Sequence, residues 1–163
     1  MARRKAIFWA LTALIGAILL LIAAAGFFLR DLSQRMNTEH TLRSLGAVCV
    51  LYAELNNGSY PPDFGTLLKA EDLPTFLFAY RDSTPAPPSN LTADQAAAWV
   101  NQNSRYIYTG AGLTTHSDPS RLVAYEKGEA GAAALYLLFA DGHVERYALD
   151  DARRIIRQGH AGN

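Results

Sequence analysis

Asp141, His143 and Glu145 alternate where a β-prone run begins, and carboxylate and imidazole groups together are a donor set that can hold a divalent cation. On a strand these positions share one side, because successive side chains point to opposite faces. They are the weak metal candidates of this chain. Three ligands along one strand rarely converge on a single ion, and no second cluster with ligand spacing accompanies them. The plainer reading is a hairpin whose turn uses Asp141 and whose outer face is polar. His40, His116 and His160 stand singly in polar surroundings, where solvated histidines outnumber catalytic ones. No Gly-x-Ser-x-Gly elbow and no phosphate loop occurs. Gly110, Ala111 and Gly112 lack the third glycine of a dinucleotide fingerprint and read as a turn. The chain therefore reads as non-enzymatic, with no catalytic residue, no metal site and no cofactor.

The elements that carry these residues follow from local pattern. Leu42, Leu45, Cys49 and Tyr52 recur at helical spacing, with Val48, Leu51 and Leu55 widening the same side. Asn56, Asn57 and Gly58 stop that helix, and Pro61 and Pro62 prevent it from resuming. Asp63 caps a short helix through Leu67 and Leu68, while the apolar run at 73–80 fits a strand or a second short helix equally well. Pro85, Pro87 and Pro88 mark a loop at 82–90. Thr92 and Gln95 form a capping-box pattern that predicts a helix at 93–101, with Trp99 as its packing anchor.

Beyond Ser104 the runs at 106–108, 122–125, 133–140 and 143–147 read as antiparallel strands. Asp141 and Gly142 predict a two-residue type I′ turn between the last two. Asp150 is expected to cap a final short helix in which Ile155 and Ile156 pack back and the arginines face water. Tyr52, Tyr60, Tyr106, Tyr108, Tyr125, Tyr136 and Tyr147 are expected to pack the helix on the sheet with hydroxyls at the rim.

Residues 6–29 contain no charge, and Arg3, Arg4 and Lys5 precede them directly. As a helix this stretch spans roughly 36 Å, enough to cross a hydrocarbon core of about 30 Å. The basic cluster sets topology: residues 1–5 stay cytoplasmic, 6–29 cross the membrane and 30–163 form one extracytoplasmic domain. Two readings compete, a signal peptide cleaved after Ala25 and a buried core helix. The length of the apolar run favours the anchor.

The chain holds 15 basic and 15 acidic residues; three of the basic ones precede the anchor, leaving 12 against 15 in the outer part. That balance, with no basic stripe, argues against a nucleic-acid partner. Cys49 is the single cysteine, so no intrachain disulfide forms, and its apolar neighbours suit a small buried hydrophobe.

The stop motif Asn57, Gly58, Tyr60, Pro61, Pro62 resembles the segment that follows the spine helix in bacterial type II secretion pseudopilins. Phe139, Ala140, Asp141, Gly142, His143, Val144 and Glu145 resemble the carboxy-terminal half of the H-x9-DG subgroup of type IV pilin-like proteins. The resemblance covers most of residues 42–147. It implies an α+β fold in which one transmembrane helix continues into a long amphipathic helix packed on a small antiparallel β-sheet. The implied division is a spine helix at 30–57, a connecting region at 58–103, a sheet at 104–148 and a tail at 149–163. Two departures stand out. The prepilin peptidase motif and its intramembrane glutamate are absent, and Gly131 stands where the subgroup has its histidine.

The resemblance implies a bacterial inner-membrane protein, single-pass, with a periplasmic domain. Its partners would be the membrane and other pilin-like or secretion-system proteins, or further copies of itself, in or beside a type II secretion or pilus-like assembly. Calcium is the one cation the resemblance allows, with Asp118, Asp150 and Asp151 as carboxylates that could contribute. The alternative is a membrane-tethered ligand- or metal-binding module with a site near the Asp141-Gly142 hairpin.

Overall fold

A computed structural model describes residues 37–79, 88–128 and 131–161. The chain divides into two compact units, Met1–Thr38 and Glu39–Asn163, and the account below concerns the second. The predicted anchor at 6–29 and most of the predicted loop at 82–90 lie outside the described residues. Among the described residues no helix is long and apolar enough to cross a membrane.

The described chain starts in a helix, α1 (37–55). Leu42, Leu45, Cys49 and Ala53, three or four residues apart, are buried on one side of it. They share a core with Val123, Ala124, Tyr136 and Leu138 of the sheet. Gly46 brings the two together: a Cβ there would lie 2.7 Å from the Leu138 Cδ1 atom. The predicted stop is present. Asn57 and Gly58 both take positive φ, 55° and 79°, and the Gly58 N–H donates back to the Ala53 carbonyl at 2.7 Å. One expectation fails here. Leu51 and Leu55 are not on the core side; they are 46% and 72% exposed, because at 100° per residue both fall on the side opposite Leu42 and Cys49.

The sheet is a four-stranded antiparallel meander of β1 (Tyr106–Tyr108), β2 (Leu122–Glu126), β3 (Ala134–Phe139) and β4 (Val144–Ala148), in sequence order. The chain is thus α+β. In β2, Leu122 pairs with Phe139 and Ala124 with Leu138, so Val123 is one extra residue. This bulge lets Val123 and Ala124 both join the core beneath α1, where strict alternation would send one of them outward. The other sheet face carries Leu122, Leu135, Leu137 and Phe139. It is covered by a fourth helix, α4 (Leu149–Ala161), whose Ala152, Ile155 and Ile156 pack on it. Asp150 does not cap this helix. It lies in the first turn beside Asp151, where a negative charge faces the positive end of the helix dipole.

The connecting region supplies α2 (Phe64–Ala70), a 3-10 turn at Thr75–Phe78, and α3 (Ala93–Asn103). Asp63 caps α2 by accepting the Thr66 N–H at 2.7 Å. Burial pushes the Asp63 carboxyl up, but hydrogen bonds from Thr66, Asn101 and Gly65 more than offset this and hold it below the usual carboxylate range. Both halves of the Thr92–Gln95 capping box form. The run at 73–80, open to two readings, forms the 3-10 turn at its centre, Thr75–Phe78. Trp99 is only half-buried; Val100 and Ala96 anchor α3 instead, because close approach to α2 at Gly65 favours small side chains on that face.

Candidate functional site

The two segments that carry the resemblance lie more than 75 positions apart and meet in space. Tyr60, just after the helix stop, donates its hydroxyl to the Ala140 carbonyl at 2.9 Å, at the head of the β3–β4 hairpin. Its backbone N–H donates to the Leu113 carbonyl at 3.0 Å, and the Thr115 N–H donates to the Gly58 carbonyl at 2.9 Å. Tyr108 completes the clamp by donating its hydroxyl to the Pro61 carbonyl at 2.7 Å. The stop motif, the 110–117 loop and the hairpin are therefore tied by hydrogen bonds among backbone groups and tyrosine hydroxyls. Burial raises the Tyr60 phenol, with smaller contributions from Cys49 and Asp141. Burial likewise pushes the Cys49 thiol up to about 12, which keeps it protonated and unreactive near neutrality.

The hairpin differs from the two-residue turn expected of it. Gly142 donates its N–H to the Phe139 carbonyl, and Phe139 donates its own to the His143 carbonyl, so three residues form the loop. Gly142 takes φ 83° while Asp141 is not among the residues with positive φ. A reverse turn followed by one left-handed glycine produces this geometry, and it relieves Asp141 of the strain a type I′ turn would impose. The Asp141 carboxylate is then free to accept from the His143 N–H at 3.0 Å and to meet the His143 imidazole. Those bonds from His143 hold the Asp141 carboxyl below the usual range, against a smaller opposing effect of desolvation. The imidazole stacks on the Phe139 ring, centroids 4.4 Å apart and planes at 9°.

Of the three alternating candidates, Asp141 and His143 meet each other. Glu145 turns away and accepts from the Tyr147 hydroxyl at 2.6 Å. Among the described residues no group of three His, Cys, Asp or Glu side chains is placed to hold a metal ion. Asp118 accepts from both the N–H and the hydroxyl of Ser120, and along α4 Asp150 faces Arg153 and Asp151 pairs with Arg154. His40 sits beside Ser44 on the exposed side of α1, and His116 lies in the 110–117 loop. The 110–112 glycines form the expected turn, with Gly112 left-handed and Leu113 donating to the Gly110 carbonyl. The tyrosines divide between the two sheet faces: Tyr60, Tyr106 and Tyr136 lie in the core under α1, whereas Tyr125 and Tyr147 pack on the α4 side.

Tyr60→Phe tests the clamp. It removes the bond to the Ala140 carbonyl with little change in volume, and is expected to lower stability by about 0.5–1.5 kcal/mol in urea unfolding of the full chain. An unchanged midpoint would mean that the hydroxyl does not tie the hairpin down.

The arrangement suits a rigid presenting surface: small polar groups are locked to backbone, and the one thiol is sealed. Besides the exposed Phe76, two surface features among the described residues go beyond the expectations from sequence, which placed Leu51 and Leu55 with the core. One is the outward pair Leu51 and Leu55 on α1. The other is a groove beside α4 bordered by Arg153 and Arg157. Spacing was the available signal for each, since both pairs are four residues apart on a helix. No family model, no curated protein and no solved structure matches this chain.

Proposed function

We propose that this protein is a membrane-anchored, pilin-like subunit that works by protein–protein contact in or beside a type II secretion or pilus-like assembly. In this reading residues 6–29 hold the outer domain at the periplasmic face of the bacterial inner membrane, with Arg3, Arg4 and Lys5 kept inside. The observation that carries the proposal is the two-sidedness of α1. Its inner side is consumed by the sheet, while Leu51 and Leu55 stand out to solvent one turn apart. Exposed leucines at helical spacing suit an interface where helices of neighbouring subunits lie side by side. The absence of the prepilin peptidase motif assigns the chain an accessory place in such an assembly, not that of a fibre-building subunit.

Photo-crosslinkers placed at Leu51 and Leu55 in the full chain, in its native membrane, test this. They are expected to trap a neighbouring protein, whereas the same group at Gln102, exposed on α3, is not. The double change Leu51→Glu and Leu55→Glu is expected to abolish those products while shifting stability by no more than about 0.5 kcal/mol, since both side chains are exposed. Equal crosslinking from Gln102, or no effect of the glutamates, would remove the contact face from the proposal.

A further inference from the structure

Helix α4 covers the outer sheet face only in part. It packs on β3 and β4, and leaves Ile107 of β1 and Tyr125 of β2 beside it instead of beneath it. The result is an open groove of about 530 Å³ along the sheet edge, with Ile107, Tyr125, Leu135 and Ile156 as an apolar floor. Cavities of roughly 300–1,000 Å³ hold ligands of small-molecule or side-chain scale.

The rim is cationic. Arg153 and Arg157 project from successive turns of α4, and Lys127 borders the groove from the end of β2. Among the described residues Glu126 is the one carboxylate in the lining, and it is engaged by Arg105 at 3.3 Å. Arg153 is only loosely held, 3.9 Å from an Asp150 carboxylate that is itself almost fully exposed, and Arg157 makes no ion pair among the described residues. Two guanidinium groups on one helix face, above an apolar floor, complement a carboxylate flanked by apolar side chains.

We propose that this groove docks an acidic peptide segment of a partner protein. A glutamate or aspartate of the segment lies between Arg153 and Arg157, and a neighbouring apolar side chain enters over Tyr125 and Ile156. An anionic lipid surface is the poorer occupant, because the outer part of the chain carries 12 basic against 15 acidic residues, with Asp150 and Asp151 at the start of the same helix. This assignment goes beyond the pilin-like reading and does not depend on it.

The test uses the full chain in phosphatidylcholine nanodiscs and a short fluorescein-labelled peptide alternating glutamate and leucine, read by fluorescence anisotropy. Binding above that of empty nanodiscs is expected, and it should weaken as salt is raised. Replacing glutamate by glutamine in the peptide, or Arg153→Gln with Arg157→Gln in the protein, should weaken it about tenfold. Both arginines are exposed, so the melting temperature of the double variant should stay unchanged. Equal binding of the glutamine peptide, or full binding by the double variant, would overturn the proposal. Loss of binding when phosphatidylglycerol replaces phosphatidylcholine would overturn it too, by assigning the groove to a lipid headgroup.

Discussion

Phe78→Ala is expected to destabilise the Glu39–Asn163 unit by about 3–5 kcal/mol, a large share of the roughly 5–15 kcal/mol that holds a typical domain folded. Phe78 is fully buried at the end of the 3-10 turn, with its ring 5.1 Å from that of Phe64 in α2. Its carbonyl accepts the Arg105 N–H at 2.7 Å, immediately before β1. The residue therefore joins α2 to the first strand through both ring and backbone, and truncation opens a cavity where three elements meet. Phe76, two residues earlier, supplies the control. It is 67% exposed, so Phe76→Ala should change stability by no more than about 0.5 kcal/mol. Urea unfolding of the two variants, followed by tryptophan fluorescence, checks the difference. A smaller loss at Phe78 than at Phe76 would mean that the turn is docked by its other face.

Phe76 and Phe78 also show where the sequence was silent. Both sit in one short apolar run, and helix, strand and 3-10 turn make the same local demand on such a run; only the arrival of Phe64 and Arg105 decides which ring is buried. Elements with their own chemical signal were legible. The Thr92 capping box, the Asp63 cap and the Asn57-Gly58 stop each satisfy backbone groups locally, so their residues announce them. The Asp141-Gly142 pair announced a turn but not its length, because a left-handed glycine ends a three-residue loop as readily as it fills a two-residue one. Leu51 and Leu55 misled for a different reason. Composition marks them as core, yet among the described residues α1 packs through the side of Leu42 and Cys49, and they lie across from it. The partial cover of the sheet by α4, which creates the groove, depends on the lateral placement of a helix, and no residue encodes that by itself. What the candidate site offered in sequence was its pieces: Tyr60 and Ala140 each belong to a legible motif, but their bond is a product of the whole fold.

Ile18→Arg combined with Leu21→Arg is expected to detach the protein from the membrane. Between residues 6 and 29 there are 13 Leu, Ile or Phe residues, each contributing about −0.3 to −0.6 kcal/mol to insertion, for a total on the order of −4 to −8 kcal/mol. Two arginines near the centre cost about 5–7 kcal/mol between them. They also remove two of the favourable contributions, so the margin for insertion vanishes. Alkaline extraction of membranes should find the parent chain in the pellet and the double variant in the supernatant. Two further arms separate the competing readings of this segment. If the segment is a signal peptide cut after Ala25, mass spectrometry of the parent chain finds an amino terminus beyond that residue, and the parent itself is extracted. If it were a helix buried in the domain, the two arginines would unfold the chain and leave it aggregated. A parent chain that starts at its own amino terminus and resists extraction, beside a variant that is released yet unfolds in urea with the parent's midpoint, is the outcome that an anchor requires.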